Sequence, residues 1–213
     1  MSARPSFDLD GRIVVLTGGG GILGRRLTSA LLEYGARVAV LDRDVSKARE
    51  SAAQATGAQC ARAYGTDVTN KADLERTLRA IESDLGTPDV LVNNAATKSN
   101  NFFAKFEEFP IEDWQQVMDV NVTGAMLCCQ VFGAKMAQRG AGSIINILSI
   151  YGIVAPDQRI YEGSEYEGHP INSPAVYSVT KAGLWGLTMY LAAYWGNRNV
   201  RVNAVTPGGI FSG

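Results

Sequence analysis

Residues 13–24 read IVVLTGGGGILG: an apolar, β-branched run from Ile13 to Thr17 meets four consecutive glycines and then the apolar start of a helical pattern, expected from about 23 to 34. Strand, glycine turn and helix in that order open a βα unit. A glycine turn at this place lets backbone N–H groups approach a pyrophosphate, and the helix N-terminus adds the positive end of its dipole. The phosphate-facing candidates are Gly18, Gly21, Ile22, Leu23 and Gly24. On its own such a string also fits a plain tight turn. Asp42, closing the second strand, adds a second signal, because an acid at about that separation hydrogen-bonds an adenosine ribose. An isolated Asp after a strand is more often a helix cap, the reading given to Asp44. The Asp42 carboxylate would accept both ribose hydroxyls of NAD and repel the 2′-phosphate of NADP, so NAD is expected and NADP is disfavoured. Arg43 is the residue that would pair with a 2′-phosphate if Asp42 turned away.

The same rhythm continues along the chain. Strands are expected at 13–17, 37–41, 59–64, 90–93, 143–147 and 200–205, with helices at about 23–34, 45–56, 71–84, 112–139 and 175–196. Alternating βα units with near-continuously apolar strands imply a doubly wound parallel sheet, the Rossmann fold, covered on both faces. Its ligand site lies beyond the carboxyl ends of the strands. One segment, at about 151–174, shows no period; connections longer than about 12 to 15 residues tend to be functional or disordered.

Composition narrows the function classes. With 213 residues, 46 % apolar, 19 % charged and a formal net charge of -1, the chain suits a single domain, 1–213, with no bias toward nucleic acid. No run approaches the roughly 18 to 20 apolar residues of a membrane span, and the N-terminus has no signal-peptide pattern, so a cytoplasmic protein is expected. Cys60, Cys128 and Cys129 lack metal-ligand spacing and read as apolar fillers. The single histidine, His169, lies in an expected polar loop beside Pro170, which excludes a multi-histidine metal site; no metal is expected.

Tyr177 and Lys181 stand four residues apart in the helix opening near Pro174 and so share a face. An ammonium beside a phenol stabilises the phenolate and suits the pair to acid/base work near neutral pH. Ser149, just past the strand SIINI, is placed to hold a substrate oxygen. As an isolated pair, a Tyr and a Lys at this spacing are more often helix-surface residues.

Taken in order, the motifs at 17–24, Asp67-Val68, Asn93-Asn94-Ala95-Ala96, Asn121 within VNVTG, Ser149, YSVTK at 177–181 and PGGI at 207–210 resemble the short-chain dehydrogenase/reductase family over essentially the whole chain. The resemblance implies an enzyme with a catalytic tetrad of Asn121, Ser149, Tyr177 and Lys181, moving a hydride between C4 of a nicotinamide and a carbinol or carbonyl carbon. It also implies that Asp67 and Val68 address adenine and that Asn94 and Ala95 line the cofactor cleft. Lys181 would hold the nicotinamide ribose beside Tyr177. Pro207, Gly208, the Ile210 backbone and Ser212 would flank the carboxamide. Asn121 would bend its helix and hold a water in the proton path.

Departures from the family pattern are also informative. TGxxGxxG replaces the common TGxxxGxG, with Ile22 at the middle glycine, as in the branch acting on nucleotide sugars, and NNAA replaces NNAG. Ser149 and Tyr177 are 28 residues apart, longer than in ordinary members, which makes 151–174 an insertion beside the site. With TGGGGILG and PGGI, the insertion SIYGIVAPDQRIYEG resembles flagellin-modification or surface-sugar biosynthesis oxidoreductases. Asp157, Arg159, Tyr161, Glu162 and Glu165 in it would suit a sugar or nucleotide-sugar substrate; a solvated loop without substrate contact is the alternative.

Two rivals to a net dehydrogenase stay open: a lyase or epimerase using transient oxidation, and a non-enzymatic NAD-binding protein. A homodimer or homotetramer is expected through the helices at 112–139 and 175–196, the first of which carries Trp114, Val117, Met118, Met126, Phe132 and Met136. The family's substrate lid and last strand are expected to follow Gly213 in a longer protein.

Overall fold

The computed structural model describes residues 8–55, 57–166 and 168–210. β1 (Ile13–Thr17) is buried along its whole length and pairs in parallel with β2 (Arg37–Asp42) on one side and β4 (Val90–Asn93) on the other. β3 (Ala61–Gly65) extends the sheet beyond β2, while β5 (Gly142–Ile147) and β8 (Val200–Val205) extend it beyond β4. The strand order is β3-β2-β1-β4-β5-β8, and every pairing is parallel. A strand's side chains alternate between faces, and here both faces are covered. Val15, Ala39, Leu41, Leu91 and Ile144 point into one core with Phe132, Met136 and Leu191, whereas Val14, Leu16, Val38 and Val40 point into a second with Leu32, Ala48 and Ala52.

The helices follow the expected pattern with instructive shifts. α1 (Ile22–Glu33) begins directly after Gly21, earlier than the expected start, and α2 (Val45–Gln54) is capped by Asp44, whose carboxylate accepts from the Ser46 and Lys47 N–H groups. β3 begins at Ala61 because Ala58–Cys60 is wound as a 3-10 turn after Gly57. α3 (Lys71–Asp84) is capped by Asn70. The long helix expected at 112–139 is α4 (Ile111–Met118), α5 (Gly124–Cys128) and α6 (Ala134–Arg139), joined by π turns at Asp119–Thr123 and Cys129–Gly133.

By length and composition the stretch Ile111–Arg139 is apolar enough to cross a membrane, with mean hydropathy 1.3 over its best window, which corrects the expectation that no segment approaches that character. Half of that window is buried, and Val117, Phe132 and Met136 fill the cores. These three side chains therefore face inward, whereas Trp114, Met118 and Met126 of the same expected set are half-buried. Among the exposed apolar side chains, Met189, Tyr190 and Tyr194 on α7 (Ala175–Trp195) are each more than half exposed, as is Ile111 at the start of α4.

The 151–174 segment is structured. It contains 3-10 turns at Ile150–Gly152 and Gln158–Tyr161 and a short antiparallel pair, β6 (Glu165–Tyr166) and β7 (His169–Pro170), so His169 lies in a strand and not in a loop.

Candidate active site

All strand ends that carry the motifs converge at one edge of the sheet. At the glycine turn, Gly18 adopts φ +63, and a Cβ there would lie 2.8 Å from the Ala95 Cα. Gly24 is needed for a close approach: a Cβ on it would lie 2.2 Å from the Gly18 carbonyl oxygen. Gly21, by contrast, is open, with its own N–H spent on the Gly18 carbonyl. It contributes a missing side chain and no free donor. The free donors are those of the first α1 turn, Ile22, Leu23 and Gly24, which lack intrahelical partners and receive no side-chain cap.

Asp42 is half-buried beside this turn. Its Oδ2 accepts from the Gly20 N–H at 3.0 Å and its Oδ1 from the Asp44 N–H at 3.0 Å. The carboxylate is thus held in place while each oxygen keeps further acceptor capacity. Beside it a cavity of about 140 Å³ is lined by Gly18, Asp42, Arg43, Asp67, Val68 and Ala95, among others, which brings together residues 77 positions apart. Asp67 is fixed in a turn by accepting from the Thr69 N–H and hydroxyl. Asn94 braces the turn: its amide donates at 3.0 Å to both the Thr17 and the Gly18 carbonyls, while Thr17 Oγ1 accepts from the Asn94 and Ala95 N–H groups. That makes Asn94 a positioning residue first, a role its sequence motif did not reveal.

Three of the four candidate catalytic side chains are buried. Lys181 is 5 % exposed; burial pushes its ammonium down to about 8, although Nζ donates to the Ile147 carbonyl at 2.7 Å. The same Nζ lies 5.8 Å from the centre of the Tyr177 ring, and Phe102 packs edge-on against that ring at 6.3 Å. Ser149 Oγ accepts from the Tyr151 N–H and so caps the turn Ile150–Gly152, leaving its own hydrogen to donate. That turn rests directly on α7: a Cβ on Gly152 would lie 2.7 Å from the Lys181 carbonyl carbon. Asn121 sits in the π turn Asp119–Thr123, its Oδ1 accepting from the Thr97 N–H and its buried Nδ2 without a protein partner. Such π turns recur at functional sites because the extra residue re-aims a side chain. A buried amide with no partner is a costly arrangement that a water or ligand relieves.

Pro207 meets this group through its carbonyl, which accepts from the Ile150 N–H; Gly208 and Ile210 are exposed beyond it. Ser212 lies outside the described residues. A buried amide relay, Asn93 to Asn146 to Thr188, ties β4 and β5 to α7 and sets where the helix sits. Cys128 and Cys129 are buried, and burial pushes both thiols up, Cys129 to about 12, as suits packing residues. A mainly apolar cavity of about 970 Å³ lies between Phe106, Trp114, Ile153 and Val179. It is lined by Tyr151 and Val176 and lies beside the four candidate catalytic residues without including them.

Comparison with known proteins matches residues 12–213 to the short chain dehydrogenase model. The chain belongs to the short-chain dehydrogenase family. D-threitol dehydrogenase of Mycolicibacterium smegmatis is 33 % identical over 208 residues, covering 97 % of this chain and 73 % of that protein. A crystal structure of NAD⁺-bound xylitol dehydrogenase aligns with TM-score 0.81 and 29 % identity, covering 96 % of this short-chain dehydrogenase and 73 % of its own chain. A gluconate 5-dehydrogenase from Burkholderia cenocepacia, in complex with NADP and tartrate, aligns with TM-score 0.82 and 29 % identity over 97 % of this chain and 74 % of that one. The family and these neighbours support a nicotinamide-dependent oxidoreductase acting on a small molecule. The uncapped helix end, the bare Gly21 and the cavity beside Asp42 fit a dinucleotide.

Proposed function

We propose that this short-chain dehydrogenase oxidises a secondary hydroxyl of a free polyol or sugar, or reduces the matching ketone, with NAD as its preferred cofactor. The observation that carries the reading is the Tyr177 ring set beside the buried Lys181 ammonium, at the strand ends where the glycine turn and Asp42 meet. A bound nicotinamide supplies the acceptor or donor of the hydride. Tyr177 takes the hydroxyl proton during oxidation and returns it during reduction. Lys181 favours the phenolate by its charge. Ser149 donates its free hydrogen to the substrate oxygen, and Asn121 offers its unpartnered amide to a water that carries the proton onward. Ile22, Leu23 and Gly24 hold the pyrophosphate, Asp42 the adenosine ribose, and Asp67 with Val68 the adenine.

The polyol reading draws support from the names of similar proteins, D-threitol dehydrogenase and xylitol dehydrogenase. The insertion's likeness to surface-sugar biosynthesis enzymes points to the same hydroxyl-rich chemistry, and the free polyol is the narrower form adopted. A screen of alditols, aldonic acids and nucleotide sugars with NAD and NADP, read as net NADH or NADPH absorbance, tests the proposal. Net NADH growth with an alditol is the expected result. Substrate conversion without net reduced cofactor would instead assign a lyase or epimerase.

A further inference from the structure

We propose that the paired phenols Tyr151 and Tyr161 form the element that selects a polyhydroxylated substrate, binding a hydroxyl on a carbon next to the one that reacts. This deepens the polyol reading above and rests on it. Tyr161 Oη donates to Tyr151 Oη at 3.0 Å. The bond consumes one of two phenolic hydrogens and the Ser173 side chain also bonds the Tyr161 oxygen, so the pair still offers the Tyr151 hydrogen and a remaining lone pair on each oxygen. A carbinol hydroxyl both donates and accepts, and it matches that set.

The pair is fixed to the residues proposed to react. Tyr151 belongs to the turn that Ser149 caps and that lies against Lys181 through Gly152. Tyr161 ends the next turn, whose Gln158 clamps Ser173: Nε2 donates to the Ser173 carbonyl at 2.8 Å and Oε1 accepts from the Ser173 N–H at 3.0 Å. Ser173 immediately precedes Pro174, the cap of α7, so the clamp ends four residues before Tyr177. On the other side, Asn172 Nδ2 donates to the Phe103 carbonyl at 2.8 Å, and Phe103 packs on Phe102, which packs on the Tyr177 ring. The insertion is thereby anchored on both sides of Tyr177. Tyr161 lies within electrostatic reach of the Tyr177 phenol, and burial followed by the Tyr151 bond raises its own to about 12, which keeps it a neutral donor. Asp157 and Arg159 of the same loop do not compete for the role, because they bind each other in the open.

The test is Tyr161→Phe and Tyr151→Phe, each removing one hydroxyl and little volume, assayed with an alditol and with cyclohexanol as a monohydric secondary alcohol. A site built to hydrogen-bond a hydroxyl discriminates against substrates that lack it. In either variant kcat/KM for the alditol is expected to fall roughly tenfold or more beyond any fall with cyclohexanol, mainly through KM, as for the loss of one net hydrogen bond. NADH titration should give the wild-type dissociation constant. An equal change with both alcohols would make the pair a structural brace and overturn the inference while leaving the polyol activity standing. Wild-type turnover of cyclohexanol but of no alditol would overturn the polyol reading itself. Failure of the wild type on both would remove both.

Discussion

The Lys181 ammonium donates to the carbonyl oxygen of Ile147 at 2.7 Å and so pins α7 to the last residue of β5. One cation is thereby held by the sheet, set beside the Tyr177 ring and buried. Burial makes its proton cheaper to lose in the folded state, with consequences for stability as well as turnover.

Below about pH 8 the folded and unfolded chains both carry the Lys181 proton, and the burial cost stands in full. Between about 8 and the ordinary value of 10.5, the folded chain has shed that proton while the unfolded chain keeps it. Stability therefore rises with pH across this window, by at most about 1.4 kcal/mol per pH unit. Lys181→Met should abolish this increment, a difference that melts of cofactor-free protein on both sides of the window would reveal. It should also weaken both turnover and NADH binding. Identical pH profiles for variant and wild type would contradict the buried ammonium.

Tyr177→Phe keeps the ring that packs on Phe102 and removes only the hydroxyl proposed to carry the proton. Turnover is expected to fall by about 10² to 10⁴, with NADH binding and melting temperature held. Retained turnover would remove Tyr177 from the mechanism.

Asp42→Asn keeps an acceptor for the Gly20 N–H and removes the charge proposed to oppose a 2′-phosphate. The ratio of NADP to NAD dissociation constants should fall by roughly tenfold or more, about 1.4 kcal/mol. Asp42→Ala should shift the ratio similarly but also lower stability by about 1 kcal/mol, because the Gly20 N–H loses its partner. A wild-type protein that already prefers NADP would defeat the NAD assignment.

The glycines of the turn should separate into two classes. Gly24→Ala drives a Cβ into backbone at 2.2 Å, so NADH binding and stability should both drop. Gly21→Ala meets only the Gly18 carbonyl at 3.4 Å. It should fold as well as wild type and lose cofactor affinity alone. Titration and melting of the two variants decide, and equal stability losses would show that Gly21 serves the turn and not the ligand.

The exposed face of α7 is proposed as the contact with a second copy of this chain. Tyr190 and Tyr194 stack at 5.6 Å beside exposed Met189, and contiguous apolar surface of this kind marks association sites. Light scattering should give at least a dimer at micromolar concentration and a monomer for Tyr190→Glu. Monomeric wild-type protein would refute the contact.

How much of this was readable beforehand follows from what each feature depends on. Strands such as Ile13–Thr17 and Val200–Val205 came out at their boundaries because β-branched runs ending in turn residues are local signals. The glycine turn, Asp42 and the motifs through YSVTK are local strings too. The helix distortion at Asn121 was implied by the resemblance of VNVTG, although no periodicity shows its π-turn form, and the relay from Asn93 to Thr188 joins three elements distant in sequence. The insertion was opaque for the same reason: Gln158 with Ser173 and Asn172 with Phe103 are pairings that only tertiary structure brings together. Apolar count misled for Phe132 and Met136, since composition does not tell which face of a helix meets the sheet.

The central claim is that Tyr177 moves a proton while a hydride passes between a substrate carbon and the nicotinamide. The most direct measurement incubates the protein with NAD and an alditol carrying deuterium on its secondary carbinol carbons, then follows the label in the reduced cofactor by mass. The account requires deuterium in the NADH formed by wild type, with its formation slowed by about 10² or more in Tyr177→Phe. NADH free of label, or formed equally fast by the variant, would contradict it.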